Sequence, residues 1–385
     1  MSGTSAPPSV RMPVMAPDEC FRAFLVAAST GKIFSEEEAE TIFGLIMDGA
    51  ATESQIAAFL MAMRVRGEQP SELLGAVRAL RVRMTVVDHV PSGTIDVCGT
   101  GGDGHGTLNV STAVSFVMAA LGVPVAKHGN RALSSRAGAS DVLEALGVSL
   151  DTDPAVLGAD LHTRRLAFLS APNHHPAMRH AAGARKALGV RTLLNFVGPL
   201  ANPAQVKRQL IGVSAKQWMK PIVDTLEKLG SERIWCVCGE IPGDHPDGTG
   251  AYIDEVTLAG PTRVEALENG KRLSFSLTPD MAGFQTAPVS AIAGGGPVEN
   301  AVALEALLHG SKGPYRDTVL LNAACALHVA GQGVLLKDQQ PDPAALVRLV
   351  SLAAHVLDNG AALAVLNASR ARHAAGKAAL EGRAS

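Results

Sequence analysis

Apolar residues recur at three- and four-residue spacing through the first eighty or so positions. Cys20, Phe21, Phe24 and Leu25 mark one amphipathic helix over Glu19–Ala28. Ala39, Ile42, Phe43 and Ile46 mark a second, and Ile56, Phe59, Leu60 and Met63 a third; Ser71–Arg83 is a fourth. Ser35-Glu-Glu-Glu38 and Thr52-Glu-Ser-Gln55 are start signals, a hydroxyl followed three residues later by an acid or amide. After a linker over Thr85–Pro91 the pattern changes. Short apolar runs at Thr94–Cys98, Val123–Ala126, Leu166–Ser170, Gln209–Val213, Arg233–Cys238 and Arg263–Leu267 read as strands, most of them separated by helical stretches. A helix capped by Ser111 or Thr112 runs to about Leu121, where Gly122 ends it. Others run from near Ser140 to Gly147 and over Asp153–Leu161, His180–Leu188 and Lys216–Leu229. Glu268-Asn-Gly270 reads as a hairpin, and about Pro343–Asp358 and Ala361–Ala375 as closing helices. The expected fold is α/β: a small all-helical N-terminal domain over 18–84, then a larger α/β domain over 85–385 with a mostly parallel central sheet.

Composition narrows the function. Residues 1–17 are rich in Pro, Ser and Met without a continuous apolar core, and read as a disordered tail rather than a secretory signal. No apolar stretch reaches the length of about 18 residues that suits a membrane span. Formal net charge is −2, so no global field draws nucleic acid or an anionic membrane, and aromatics at 4% are too sparse for stacking bases. Any phosphate must therefore be held locally. The five cysteines include no C-x-x-C pair. Cys236 and Cys238 fall on one side of a strand and read as buried, reduced thiols, which points to a cytoplasmic setting. His174-His175 lacks the helical i, i+4 spacing of a zinc pair.

Chemistry concentrates between Ile95 and Gly147. Gly99 to Gly106 holds five glycines in eight residues after a strand and ahead of a helix. Glycine lets backbone N–H groups approach a ligand closely, and the helix amino terminus adds further donors and partial positive charge. Thr107, Asn109, Ser111 and Thr112 are neutral donors beside it. After the next strand, the polar, basic loop Lys127–Ser135 supplies Lys127 and Arg131 next to Asn130, Ser134 and Ser135. Two such loops suit a ligand with phosphate at both ends. Gly99-Thr-Gly-Gly-Asp-Gly104 fits G-x-G-x-x-G in letters, yet the following strand ends in Lys127-His128 rather than an acid, and no Gly-Lys-Ser/Thr follows as in a P-loop. Asp103 among phosphate donors points to a magnesium-bound diphosphate or to a ribose hydroxyl.

Gly99-Thr-Gly-Gly-Asp103, Asn109-Val-Ser-Thr112, Lys127-His-Gly-Asn-Arg131 with Ser134-Ser135, and Asp141-Val-Leu-Glu-Ala-Leu-Gly147 resemble the motifs of anthranilate phosphoribosyltransferases. The likeness runs from about Glu19 to the end and includes His175-Pro-Ala-Met178, Gly189-Val-Arg-Thr192 and Asn195 to Pro203. It departs at Ala137-Gly-Ala-Ser-Asp141, where Ser-Gly-Ser-Ala-Asp is frequent, and at Gly296, where Asp is common. Gly239–Gly250 is longer than usual and reads as an insertion with solvated His245 and Asp247.

The resemblance implies a nucleoside phosphorylase/phosphoribosyltransferase-like fold, with helices from about 176–200 packing on the helical domain, which forms the dimer contact in the family. It implies transfer of phosphoribose from 5-phosphoribosyl 1-diphosphate to anthranilate in tryptophan biosynthesis, by a homodimer. The substrate-binding set would be Gly99, Gly102, Asp103, Thr107, Asn109, Val110, Ser111, Thr112, Lys127, His128, Gly129, Asn130, Arg131, Ala132, Leu133, Ser134, Ser135 and Arg185. Lys127, Asn109 and Arg185 would be the catalytic residues, Arg185 meeting the anthranilate carboxylate. Read alone, Asp254 and Glu255 are adjacent surface acids at a strand end; the resemblance makes them, with Ser111, ligands of Mg2+. Two other readings stand beside this one: a pyrimidine nucleoside phosphorylase of shared fold, and a non-catalytic nucleic-acid-binding homologue, which should carry a basic stripe and lack the Asp254-Glu255 pair.

Overall fold

The computed structural model describes residues 16–131, 136–150, 153–243, 245 and 250–381, the side chains of 373–381 excepted. The tail expected over 1–17 therefore lies almost wholly outside the described residues. The chain opens on four helices, α1 (Pro17–Ser29), α2 (Glu36–Met47), α3 (Glu53–Arg66) and α4 (Pro70–Arg81). Both expected start signals are formed: Ser35 with Glu38 and Thr52 with Gln55 each make reciprocal side-chain and backbone bonds. Phe21, Phe34 and Phe43 surround Phe59 in the middle of the unit, at ring-centroid distances of 5.7, 5.8 and 6.1 Å. Glu72 of α4 is fully buried and fully satisfied: Arg66 grips it at 2.7 and 2.6 Å, and the backbone N–H groups of Phe34 and Gln69 donate to it. That pairing offsets the cost of burying the charge and fixes α4, which brings Leu80 to the functional site.

The rest of the chain builds a mixed sheet and its covering helices. In order come β1 (Ile95–Gly99), α5 (Val110–Ala120), β2 (Val125–Gly129), α6 (Ala139–Ala145), α7 (Pro154–Thr163), β3 (Leu166–Ser170), α8 (Ala171–His174), α9 (Arg179–Leu188) and α10 (Leu194–Leu200). Then follow β4 (Arg208–Gly212), α11 (Met219–Lys228), β5 (Arg233–Glu240), β6 (Tyr252–Ile253), β7 (Thr262–Glu268), β8 (Lys271–Leu277) and helices α12 (Pro297–Leu308), α13 (Pro314–Ala330), α14 (Pro343–Asp358) and α15 (Ala361–Glu381). The strand order is β3-β2-β1-β4-β5-β7-β8; the first five are parallel, and β7 and β8 run antiparallel as the expected hairpin. Asn269 and Gly270 turn that hairpin with φ of 50° and 82°.

Period-two alternation sorts the strands' side chains between two cores. Trp235 and Val237 of β5 join the core built around α5 and α13. Ile234, Cys236 and Cys238 face the other core, shared with the helical unit, α10 and α11, so the two thiols do lie on one side and both are free and buried. Helices α9 and α10 also pack on the helical unit: α9 against α2 and α3, α10 against α4, where Arg81 donates to the Leu200 carbonyl at 3.0 and 2.8 Å. Among the described residues no single helix is long and apolar enough to cross a membrane.

Three expectations need correction. Lys127, His128 and Gly129 are not loop: they extend β2, because five residues of β2 pair with β3. Neither Ser111 nor Thr112 caps α5; Asn109 holds that position without a side-chain cap bond, since Asn300 occupies its amide oxygen. His245 is half-buried, 3.1 Å from the Ile241 carbonyl, rather than solvated. Asp247 lies outside the described residues.

Candidate active site

Strand β1 has β2 on one side and β4 on the other, while the chain leaves β1 towards β2 and leaves β4 towards β5. The loops after β1 and β4 therefore diverge and open a crevice at the carboxyl edge of the sheet. A cavity of about 690 Å³ occupies it. Gly99–Gly102, Asn109, Ser111, Thr112 and Lys127–Arg131 line it. Apolar groups of Leu80, Pro172, Pro176, Met178, Leu194 and Pro199 line it as well, with His175 and Arg185.

The glycine-rich turn is fixed from several directions. Thr100 N–H donates to the Gly212 carbonyl at 2.9 Å and Gly101 N–H to Asp254 Oδ2 at 2.7 Å. A side chain at Gly99 would strike that same carboxylate oxygen, and one at Gly102, whose φ is 69°, would strike Arg191. Further along, Thr107 bridges to Ala293, and Leu108 N–H and Gly294 N–H bond across the same two segments. Asn109 receives Asn300 Nδ2 on its side-chain oxygen at 2.9 Å and Tyr315 Oη on its carbonyl at 3.1 Å. Its side-chain nitrogen has no partner among the described residues, and the residue lines the cavity. Thr100, Thr112 and His175 also line the cavity, and each carries a buried polar atom with no hydrogen-bond partner among the described residues. Such atoms are expected where a polar ligand completes the bonding.

Asp254 and Glu255 follow β6 in bent, non-strand backbone, which removes the alternation that would send neighbours to opposite faces. Burial and then the nearby charge of Asp103 push the Asp254 carboxyl up to about 7. Burial and the Asp254 charge push Glu255 well up as well, although Lys127 and the Ser111 N–H oppose the shift. The shifts of Asp254 and Glu255, with Asp103 beside them, oppose the charged forms of those two carboxyls and make a site that a cation would relieve. Among the described residues no three His, Cys, Asp or Glu are grouped so as to hold a metal ion by themselves.

Lys127 is buried in β2, its Nζ donating to the carbonyls of Val97 at 3.1 Å and His128 at 3.3 Å. His128 Nε2 lies 3.1 Å from His175 Nε2. Burial first, and then each other's proximity or that of His174, lowers both imidazoles, His175 to about 4 and His128 well below the ordinary value. Both are therefore neutral near pH 7, one donating and one accepting. His174 does not face its neighbour's site; its Nδ1 meets the Thr85 carbonyl at 2.8 Å. The Arg185 guanidinium, on α9, has no hydrogen bond or ion pair to any described residue, and burial lowers its pKa. It is a cation on a wall that also carries apolar side chains.

Not every expected residue reaches the cavity wall. Val110 is packed in the core, and Thr107 lies behind the turn in its bridge. Asp103 and Glu255 stand beside Asp254 rather than on the wall itself. Arg131 lines the cavity, yet its guanidinium is held by Asp141 and Glu144 of α6. Ala132, Leu133, Ser134 and Ser135 lie outside the described residues. Ala139 lines the cavity and Ala137 is buried, so neither supplies a hydroxyl there. Sequence reasoning missed Arg191, Leu80, Asn300 and Tyr315. The last three carry no local signal, being brought in by helices far away along the chain. Arg191 was visible only as part of Gly189-Val-Arg-Thr192.

Comparison with known proteins agrees with this geometry. Residues 92–363 match the glycosyl transferase family α/β domain, and residues 23–84 match the helical bundle domain of the same family. Anthranilate phosphoribosyltransferase of Gluconobacter oxydans is 54% identical over 91% of this chain and 94% of its own. That of Methylocella silvestris is 49% identical over 91% and 94%. The chain belongs to the anthranilate phosphoribosyltransferase family. Among solved structures, the anthranilate phosphoribosyltransferase of Thermus thermophilus superposes with a TM-score of 0.78 at 38% identity, over 91% of this chain and 98% of that one. The Saccharomyces cerevisiae anthranilate phosphoribosyltransferase in complex with 5-phosphoribosyl 1-diphosphate and magnesium gives 0.77 at 25% identity, over 92% and 98%. Membership of this family also accounts for the joint presence of the helical unit and the mixed sheet.

Proposed function

We infer that the chain transfers the phosphoribosyl group of 5-phosphoribosyl 1-diphosphate to the amine of anthranilate, yielding N-(5-phosphoribosyl)anthranilate and diphosphate in tryptophan biosynthesis. The observation that carries this is one cavity whose wall combines a glycine turn beside clustered acids with apolar side chains and the uncommitted guanidinium of Arg185. The anomeric C–O bond to diphosphate breaks, the bond from the anthranilate nitrogen to that carbon forms, and the nitrogen's proton passes to solvent. An aromatic amine is neutral and nucleophilic at pH 7, so no strong base is required. Rate comes from holding the reactants in line and stabilising the departing anion.

The turn at Gly99–Gly102, Asn109 and Lys127 hold the donor, with Thr107, Ser111, Thr112 and the segment from His128 to Ser135 completing its surroundings. Asn130 and Arg185 hold the acceptor, the guanidinium fork meeting the anthranilate carboxylate. Ser111, Asp254 and Glu255, oxygen donors all, would hold Mg2+, and Asp103 adds negative charge beside them; the raised carboxyl pKa values support a cation there. Bound there, Mg2+ supplies positive charge against the diphosphate. The division into a helical domain over 18–84 and a catalytic domain over 85–385 follows the same reading. Exposed Val26, Ile33 and Val65 on the helical unit support pairing of two copies through it, and five free cysteines suit a reducing cytoplasm.

The test is loss of anthranilate fluorescence with donor and magnesium. Steady loss that stops on chelation of the metal is the expected result. A folded protein that leaves anthranilate unchanged, or that instead phosphorolyses thymidine, overturns the assignment.

A further inference from the structure

We propose that Arg191 is the positioning residue that holds the Thr100–Gly102 turn in its anion-binding conformation, on the reading that this cavity takes 5-phosphoribosyl 1-diphosphate. Arg191 enters from the linker between α9 and α10. Its Nη1 donates to the Gly101 carbonyl and to Ser214 Oγ at 3.2 Å, and its Nη2 to the Thr100 carbonyl at 3.4 Å. The guanidinium lies over the Phe196 ring at 5.3 Å, and Phe196 stacks on Trp218 at 4.7 Å with the planes 26° apart.

The choice of partners is the informative feature. A half-buried arginine ordinarily pairs with a carboxylate. Arg191 makes no ion pair with any described residue and commits its fork to two consecutive backbone carbonyls. Those carbonyls belong to the segment with the least steric resistance to peptide rotation: Gly101 and Gly102 both sit at positive φ, 65° and 69°. Thr100 N–H and Gly101 N–H are already bonded, so the Gly102 N–H is what the turn can offer an incoming diphosphate, and rotation of the Gly101–Gly102 peptide would aim the Gly101 carbonyl oxygen there instead. Arg191, itself on the cavity wall, opposes this by holding the Thr100 and Gly101 oxygens on its own donors. Asp254 does the complementary work, accepting the Gly101 N–H at 2.7 Å from the other side. The turn is clamped on both edges, so its conformation exists before the anion arrives. The aromatic pair beneath the guanidinium restricts its movement.

Arg191→Ala and Arg191→Lys test this. In Arg191→Ala, KM for 5-phosphoribosyl 1-diphosphate and the calorimetric Kd for magnesium diphosphate should both rise about tenfold or more. KM for anthranilate should stay at the wild-type value, on protein shown by thermal unfolding to be folded at the assay temperature. Lysine keeps the charge but cannot fork across two carbonyls, so Arg191→Lys should remain close to the alanine variant. An unchanged donor KM, an equal rise in both KM values, or full rescue by lysine overturns the proposal. If Arg191→Ala does not fold, Ser214→Ala and Phe196→Leu loosen the same clamp; a smaller rise in donor KM supports it and no rise overturns it. Should the wild type lack transferase activity, the proposed function fails, while the diphosphate Kd of wild type against variant still decides the role of Arg191.

Discussion

Gly99→Ala isolates the contact between the glycine turn and the acids. A Cβ at this position meets Asp254 Oδ2 and Cγ on one side and the Asp254 carbonyl at 3.4 Å on another. Strand β1 is the less yielding partner, since all five of its residues pair with β4. The carboxylate must therefore rotate, and it gives up the bond from Gly101 N–H. A hydrogen bond to a charged group is worth about 1.5–3 kcal/mol, and forcing a methyl into a filled space costs about 1–3 kcal/mol. Rotation replaces much of the second cost by the first, so about 1.5–3 kcal/mol of donor binding is lost, roughly ten- to a hundredfold in kcat/KM for 5-phosphoribosyl 1-diphosphate. Gly104→Ala, off the cavity wall, is the control. Nothing lies within 4 Å of its Cβ, so it meets only the left-handed backbone cost of about 1–2 kcal/mol, which falls on stability. Anthranilate fluorescence at varied donor concentration, with thermal unfolding of each variant, measures both effects. A folded Gly99→Ala protein within threefold (roughly 0.7 kcal/mol) of wild-type kcat/KM would refute the reasoning.

Lys127→Ala should raise the donor KM about tenfold or more while leaving the anthranilate KM in place, because its ammonium is the buried cation beside the turn; parallel shifts in both constants would count against it. Arg185→Ala should raise the anthranilate KM by a similar order through loss of the carboxylate fork, and an unchanged value defeats that role. For pH, the unfolded chain protonates His175 at the ordinary 6.5, while the folded protein resists until about 4. That contribution to stability is present above 6.5 and is lost as pH falls towards 4, by up to about 1.4 kcal/mol per pH unit. The difference in unfolding midpoint between wild type and His175→Asn should therefore shift against the wild type between pH 6.5 and 5; a pH-independent difference rules this out.

Much of the fold was legible because it depends on near neighbours in the chain. Capping boxes at Ser35 and Thr52, the Asn269-Gly270 hairpin and the alternation through Cys236 and Cys238 each follow from residues a few positions apart. The strand boundaries slipped where pairing, not composition, decided them. Lys127 and His128 look like loop residues, but β3 recruits them into the sheet. Asp254 and Glu255 illustrate the reverse: their adjacency read as two surface acids, yet past β6 the backbone bends, Asp254 meets the glycine turn and Glu255 meets the Ser111 N–H.

The sequence by itself determined the helical unit, the alternation of strands and helices, the glycine turn and, through resemblance, the family. Those depend on periodicity, turn chemistry and motif order, all local properties of the chain. Only the tertiary structure decided that Leu80 walls the cavity, that Asn300 and Tyr315 hold Asn109, that Asp141 and Glu144 take Arg131, and that Arg191 spends its donors on carbonyls of the turn. Those partners lie between 10 and nearly 210 positions apart along the chain. Their meeting depends on how the sheet orders its strands and how the helices pack across it, which no short window of sequence contains.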